Sequence, residues 1–169
     1  MTTEEIKAEI ESCQTSLGIE FGSTRIKAVL INSKFEPVAG GSFEWENQLV
    51  NGVWTYDLDL IHKGLQTCYK DLKKDVKEKY GVTLKSFKAF GVSAMMHGYL
   101  AFDKDDNLLV PFRTWRNTIT GQASKELSEK FNFPVPERWS ISHLYQAILN
   151  KEPHVSSIKN VYTLAGYIH

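Results

Sequence analysis

The sequence has little cysteine: Cys13 and Cys68 are the only two, far apart and in no CxxC pair. That argues against a disulfide framework or a structural zinc site and for reduced core thiols in a cytoplasmic protein. It has no excess of either charge, with 20 Lys and Arg against 20 Asp and Glu. Nothing therefore draws it to a phosphate backbone or an anionic bilayer, and neither nucleic acid nor membrane is expected as a partner. No apolar run is long enough to span a bilayer. The amino terminus, Thr2-Thr-Glu-Glu-Ile6, is acidic and amphipathic rather than basic and then apolar, as a secretory signal is. Also missing are the Walker A, GxGxxG, HExxH and GxSxG patterns, which removes motif support for P-loop, dinucleotide-binding, zincin and hydrolase-elbow chemistry. What is there, 42% apolar and 12% aromatic residues in a chain of 169, suffices to bury the core of a globular domain.

The spacing predicts a short helix over Thr2 to Cys13, with Thr2 and Glu5 at capping-box distance. Residues 1–15 read as a peripheral helical extension and residues 16–169 as one domain. From Ser16 the period drops to two: Leu17, Ile19 and Phe21 share a face, Gly22-Ser23-Thr24 turns, and Ile26, Ala28 and Leu30 return as a hairpin. A third strand is expected over Val38 to Trp45, with a bulge at Gly40-Gly41. Asn47 to Thr55 reads as turn-like, and Asp57 as the N-cap of a long helix with Leu58, Ile61, Leu65, Leu72 and Val76 on one stripe, stopped by Gly81. Lys88 to Ser93 reads as a buried small-residue strand and Tyr99 to Phe102 as another, with Leu108 to Phe112 extended. Helices are expected over Thr120 to Phe131 and Ser140 to Asn150, separated by Pro134 and Pro136, and a last strand over Val161 to Leu164. The end at Gly166-Tyr-Ile-His169, with no polar tail, is expected of a piece of a longer polypeptide.

Three segments carry candidate chemistry. In Gly18-Ile-Glu20-Phe-Gly22-Ser23-Thr24-Arg-Ile-Lys27, Gly22 would take a backbone conformation closed to other residues, so that successive N–H groups and two hydroxyls hold phosphate oxygens. Glu20, on the face opposite Leu17 and Phe21, would serve a hydrated magnesium ion. An ordinary hairpin with glycine in its turn fits the same pattern. On pattern alone Met95-Met96-His97-Gly98 reads as a segment with a satisfied, half-buried histidine, and Thr114-Trp115-Arg116-Asn117 as a core tryptophan with Asn117 capping the helix that follows. His143 and His154 stand at no metal-ligand spacing and read as surface or capping groups. Lys70 to Lys79 reads as a solvated helix face, and Trp45 and Trp54 as core or hairpin packing.

Residues Leu17 to Ile31 resemble the first phosphate motif of the actin, heat-shock chaperone and sugar-kinase superfamily, with Glu20 where Asp is usual. Gly91 to Gly98 resembles the strand-to-loop segment of the FGGY carbohydrate kinases, xylulokinases and gluconate kinases above all, in which Met and His line the sugar pocket. Thr114 to Thr120 resembles the Trp-x-Asp-x-Arg segment that follows, with Asn117 in place of Asp and Ile119 in place of Arg. Trp139 to Tyr167 is similar to the same family, with Gly166 where xylulokinases often have Asp.

The resemblance covers nearly the whole chain from Leu17 onward. It implies an α/β, RNase H-like domain of the actin-like ATPase superfamily, a mixed sheet of about five strands flanked by helices. It implies the amino-terminal domain of a carbohydrate kinase that uses ATP and Mg2+ to phosphorylate a hydroxyl of a ketose such as xylulose, or of a related sugar or sugar acid. On this resemblance Gly22, Ser23, Thr24 and Lys27 face the nucleotide phosphates, Glu20 serves the magnesium, and Met96, His97, Trp115 and Asn117 hold the sugar. The general base is expected beyond His169, in a C-terminal kinase domain, so the 169 residues alone are expected to be inactive. The complete protein is compatible with a homodimer. A non-catalytic actin-like half-domain that binds a sugar or a protein is the alternative. An actin-like or chaperone-like ATPase shares the first motif but leaves Met96-His97 and Trp115-x-Asn117 without a role.

Overall fold

Two periodicities organise the chain, and the computed structural model, which describes residues 1–169, realises both. In chain order the elements are α1 (Thr3–Glu11), β1 (Ser16–Phe21), β2 (Arg25–Ile31), β3 (Pro37–Glu44), β4 (Gln48–Val50), β5 (Val53–Thr55), α2 (Leu58–Tyr80), β6 (Ala89–Ala94), β7 (Leu100–Phe102), α3 (Gly121–Phe131), α4 (Ser140–Leu149), a 3₁₀ turn (Pro153–Ser157), β8 (Asn160–Tyr162) and α5 (Leu164–Ile168). They form two compact units, residues 1–46 with 59–94 and residues 47–58 with 95–169. No helix is long and apolar enough to cross a membrane.

The first unit is a mixed four-stranded sheet in the order β3-β2-β1-β6, antiparallel except that β6 runs parallel to β1. The connection from β1 to a parallel neighbour needs a helical crossover, and α2 lies within it. Alternation sends Leu17, Ile19, Phe21, Ile26, Ala28 and Leu30 inward, and the 3.6 period of α2 buries Ile61, Cys68, Leu72 and Val76. Each such side chain contributes about 1.5–3 kcal/mol on burial. The thiol of Cys68 reaches the Ile26 carbonyl at 3.1 Å, and burial pushes it up to about 11. Cys13 is free and half-buried rather than a core residue. The α1 helix starts in the expected capping box, with Thr2 and Glu5 bonded reciprocally. It is tied to the sheet unit by the Glu9 carboxylate, which accepts the Ser33 N–H at 2.9 Å.

The mixed sheet holds four strands, while Leu100–Phe102 and the segment near Val161 pair with each other outside it. Two expectations change here. The one register irregularity between β2 and β3 falls at Leu30/Ile31, where Leu30 faces Ala39 and Ile31 faces Pro37, so the bulge is not at Gly40-Gly41. Gly41 is needed for a different reason: a Cβ there would lie 2.0 Å from the Cys68 carbonyl oxygen, so the helix backbone rests directly on the strand. Finally, β6 is an edge strand with Ala89, Phe90, Gly91 and Ser93 exposed rather than a buried strand.

The second unit is built from the two-stranded pairs β4-β5 and β7-β8 and the helices α3, α4 and α5. The turn-like stretch Asn47 to Thr55 is a hairpin, turning through Asn51 (φ 49°) and Gly52 (φ 79°). Positive φ at both central residues is what an Asn-Gly hairpin turn requires. Leu108 to Phe112 makes only isolated bridges, Phe102 to Leu108 and Tyr99 to Arg113 flanking it. The segment from Asn160 pairs antiparallel with β7. On the α3–α4 contact the Gln146 carbonyl oxygen accepts the Ala123 N–H at 3.1 Å, and Tyr145 donates to Glu126 at 2.8 Å.

The core of this unit is unexpectedly polar. Arg113 forms a two-pronged ion pair with Glu152. His154 lies 3.5 Å from the same carboxylate and bonds the Tyr99 hydroxyl at 2.9 Å. The Arg113 guanidinium also sits over the Tyr99 ring, and His143 stacks against that ring at 6.0 Å. His143 is fully buried with neither ring nitrogen bonded, and His154 is buried too, so both depart from the surface reading.

Candidate functional site

The register of the first unit assembles its polar face. Lys27 stands opposite Glu20 on β1 and Ser42 on β3, and Glu20 stands opposite Ser93 on β6. Side chains in register across a sheet share a face, so Ser42, Lys27, Glu20 and Ser93 form one row, all of them exposed. The neighbouring row is Gly40, Val29, Gly18 and Gly91. A Cβ on Gly18 or on Gly91 would meet nothing within 4 Å. A shallow cavity of about 410 Å³ lies over this glycine floor, with Glu20, Lys27 and Ser93 at its margin. Ser93 is the member that reading β6 as buried had hidden.

The Gly22-Ser23-Thr24 turn is held differently from the expected phosphate nest. The Gly22 N–H donates to the Arg25 carbonyl at 3.0 Å, and is therefore spent within the hairpin. Gly22 is not among the glycines with positive φ. A Cβ on it would lie 3.0 Å from the Arg25 carbonyl oxygen, a tight contact that favours glycine there. Trp45, 3% exposed, anchors the turn from β3: its indole N–H donates to the Gly22 carbonyl at 2.8 Å and its backbone N–H to that of Thr24 at 3.2 Å. Ser23 and Thr24 stay exposed at the tip, and the Glu20 carboxylate lies 3.8 Å from where a Gly22 Cβ would stand. One carboxylate and two hydroxyls thus lie at an anchored turn, with Lys27 in register beside the carboxylate.

This donor set fits a magnesium nucleotide of a particular kind. There is no cluster of three His, Cys, Asp or Glu side chains that could cage a metal. Magnesium commonly takes only one or two protein carboxylates and completes its shell with water and substrate phosphate. Glu20 can supply that single carboxylate, and Lys27, Ser23 and Thr24 the donors for phosphate oxygens.

In the second unit, Met96 and His97 line an apolar cavity of about 420 Å³ together with Trp139, Ser140, Ile141 and Thr163. Met96 is 73% exposed. The Nε2 atom of His97 accepts the Nε–H of Arg138 at 3.1 Å. Burial first, and then the charge of Arg138, hold the imidazole below its ordinary pKa. The ring is therefore neutral near pH 7, with its proton on Nδ1, where it is a hydrogen-bond donor.

Trp115 and Asn117 do not line this cavity. Trp115 is exposed on its loop, whereas Asn117 is 3% exposed. Its Oδ1 accepts the Trp54 N–H at 2.8 Å, and its Nδ2 donates to the carbonyls of Trp54 at 2.8 Å and Thr114 at 3.0 Å. The amide thus clamps the β5 backbone. Arg116 covers the Trp54 ring at 4.0 Å. Thr114 and Tyr56 bond the Asn47 amide, each at 3.0 Å.

Residues 15–138 match the family model described as the FGGY family of carbohydrate kinases, N-terminal domain. Among solved structures, the chain is similar to xylulose kinase from Rhodospirillum rubrum, with 18% identity and a TM-score of 0.78 over 92% of this chain and 33% of that one. It is similar to gluconate kinase from Lactobacillus acidophilus, with 21% identity and a TM-score of 0.75 over 92% and 32%. The glycerol kinase of Plasmodium falciparum, solved with ADP, gives 18% and 0.68 over 85% and 30%. At these identities the likeness establishes the fold, and the chain spans about a third of each relative's length. No protein of curated function matches the sequence.

Proposed function

Because the chain belongs to the FGGY family of carbohydrate kinases, we propose that it is the amino-terminal portion of an ATP-dependent kinase acting on a hydroxyl of a ketose such as xylulose, or of a related sugar or sugar acid. The observation that carries this reading is the Glu20 and Lys27 pair, in register beside a turn anchored by Trp45, in a chain of that family. The sugar is held at the Met96-His97 cavity, and the general base and the rest of the kinase come from polypeptide beyond these residues. The 169 residues alone do not turn over.

In this mechanism Lys27 and the Ser23 and Thr24 hydroxyls neutralise and orient nucleotide phosphates, while Trp45 fixes the turn that presents them. Glu20 would hold the hydrated magnesium ion, which when bound supplies charge neutralisation to the transferring phosphoryl group. Such transfer depends on positioning and electrostatics rather than on covalent participation by the protein. His97, neutral with Nδ1–H as donor, bonds a sugar oxygen, and Met96 packs on its C–H face. Asn117 acts by fixing the Trp54 strand, and Trp115, exposed outside that cavity, has no contact with the sugar held there.

In the complete enzyme, Glu20→Gln keeps the shape of the side chain and removes its charge. It is expected to lower kcat about tenfold at saturating sugar, the order of one lost charge-assisted contact, and to move the magnesium dependence to higher concentration. Steady-state rates across a magnesium series check this; an unchanged profile removes Glu20 from the metal role.

A further inference from the structure

The cavity beside His97 contains an asymmetry of charge. Its six lining residues, Met96, His97, Trp139, Ser140, Ile141 and Thr163, include no carboxylate. The charged side chain hydrogen-bonded to that lining is Arg138, exposed at the cavity's margin beside His97, with its Nε–H on His97 Nε2. Arg138 takes part in none of the chain's ion pairs, although Arg25 and Arg113 each have a carboxylate partner, Glu44 and Glu152. A guanidinium has five N–H donors in a planar fork, and one of them is spent on His97. The two terminal nitrogens, whose parallel N–H groups match a carboxylate in two-pronged fashion, keep theirs.

Local structure adds to the same polarity. Trp139 is the N-cap of α4 and offers no side-chain acceptor to the first turn. Ser140 and Ile141, which begin that helix, line the cavity. The neighbouring carboxylate, Glu137, does not neutralise Arg138: its Oε2 is buried without any hydrogen-bond partner. The Ser140 hydroxyl, in turn, donates to the Gly98 carbonyl.

Resting on the sugar-kinase reading above, we infer that this site takes a sugar acid, with Arg138 binding its carboxylate and setting specificity while His97 Nδ1–H, on the opposite edge of the ring, bonds a hydroxyl oxygen farther along the same ligand. The His97 contact gives Arg138 its second task, since the bond through Nε orients the guanidinium and fixes the tautomer of the ring that touches the sugar.

The test compares two open-chain ligands that differ in one terminal group, D-gluconate and D-sorbitol, each titrated into the complete enzyme. Calorimetry gives affinity, and the imidazole NMR resonances of His97 give location. Gluconate is expected to bind at least about tenfold more tightly than sorbitol at low ionic strength, the order of one two-pronged ion contact, with the advantage shrinking as salt is raised. Both ligands are expected to move the His97 resonances. In Arg138→Gln, an exposed substitution, gluconate loses its advantage over sorbitol; Arg138→Lys, which keeps the charge without the fork, retains part of that advantage.

Equal affinities in the unmodified enzyme overturn selection for an acid and leave the sugar site standing. A gluconate advantage that survives Arg138→Gln overturns the role of Arg138. If neither ligand moves His97, the sugar site itself is overturned, and the inference with it.

Discussion

Gly41→Ala is expected to destabilise the sheet unit by about 3 kcal/mol or more, the upper end of overpacking costs. The added Cβ would lie 2.0 Å from the Cys68 carbonyl oxygen, 2.8 Å from the Leu72 nitrogen and 3.0 Å from the Cys68 carbonyl carbon. All three are backbone atoms of α2, so no change of rotamer relieves the overlap. The helix must lift off β3, which loosens the packing of Ile61, Cys68, Leu72 and Val76 on the sheet. It also pulls at the Asp75 carboxylate that accepts the Gly40 N–H at 2.9 Å and at the Tyr80 hydroxyl that donates to the Val38 carbonyl at 3.0 Å. Urea unfolding beside Gly91→Ala, whose Cβ enters open space, separates overpacking from the general effect of adding a methyl group. A loss within about 1 kcal/mol for Gly41→Ala, the range of an ordinary tolerated swap, contradicts the close approach.

Acid is expected to act on the other unit. Burial, and then the charge of Arg113, depress His143 from its ordinary 6.5 to about 4, with Glu152 opposing. Between those two values the unfolded chain takes up a proton that the folded chain refuses. Stability from His143 is therefore complete above about pH 6.5 and is lost as pH falls toward 4, by about 3 kcal/mol in all. His154 contributes with the same sign: burial lowers it, Arg113 adds to the effect and Glu152 opposes it. Burial raises Glu152, but the Arg113 bonds and charge outweigh it and hold the carboxyl below its usual value. Its pairing therefore stabilises above about pH 4.5 and is lost as the carboxylate protonates at lower pH.

His143→Leu removes the His143 share. It also removes two orphaned ring nitrogens, so the variant is expected to match or exceed the parent near pH 7 and to show a flatter loss between pH 6.5 and 4.5. Urea titrations at several pH values measure both slopes; equal slopes contradict the assignment.

Much of the fold is legible locally. Thr2 and Glu5 announce the first helix, the alternation from Leu17 to Leu30 announces the hairpin, and the stripe from Leu58 to Val76 announces α2. Asn51-Gly52 carries a hairpin signal as well, flanked by short extended segments, and reading the stretch as a turn passes over it. Other features have no local signal. Gly41 looks like a bulge residue until the α2 backbone at Cys68 and Leu72, 27 and 31 positions later in sequence, is laid across it. The polarity of β6 depends on its place at the edge of the sheet, which exposes a small-residue strand that in a central position would be buried.

The site divides the same way. As candidates, Glu20 and Lys27 can be chosen by residue type within a short motif, whereas Met96 and His97 are singled out by resemblance to the family and on residue type alone read as structural. Arg138 cannot, because its bond to His97 joins segments 41 residues apart, and the Arg113 to Glu152 pair spans 39. Asn117 illustrates the converse: an amide of the right type beside a tryptophan, whose hydrogen bonds go to the backbone of Trp54, 63 residues away.

The most direct test of the account is sugar-dependent release of ADP from magnesium ATP by the intact protein purified from its source cells, assayed against ketoses, polyols and aldonates. The account predicts turnover that requires one of these acceptors and yields its phosphate ester. ADP release that no acceptor raises above the sugar-free rate contradicts it, and favours an actin-like half-domain that binds without transferring phosphate.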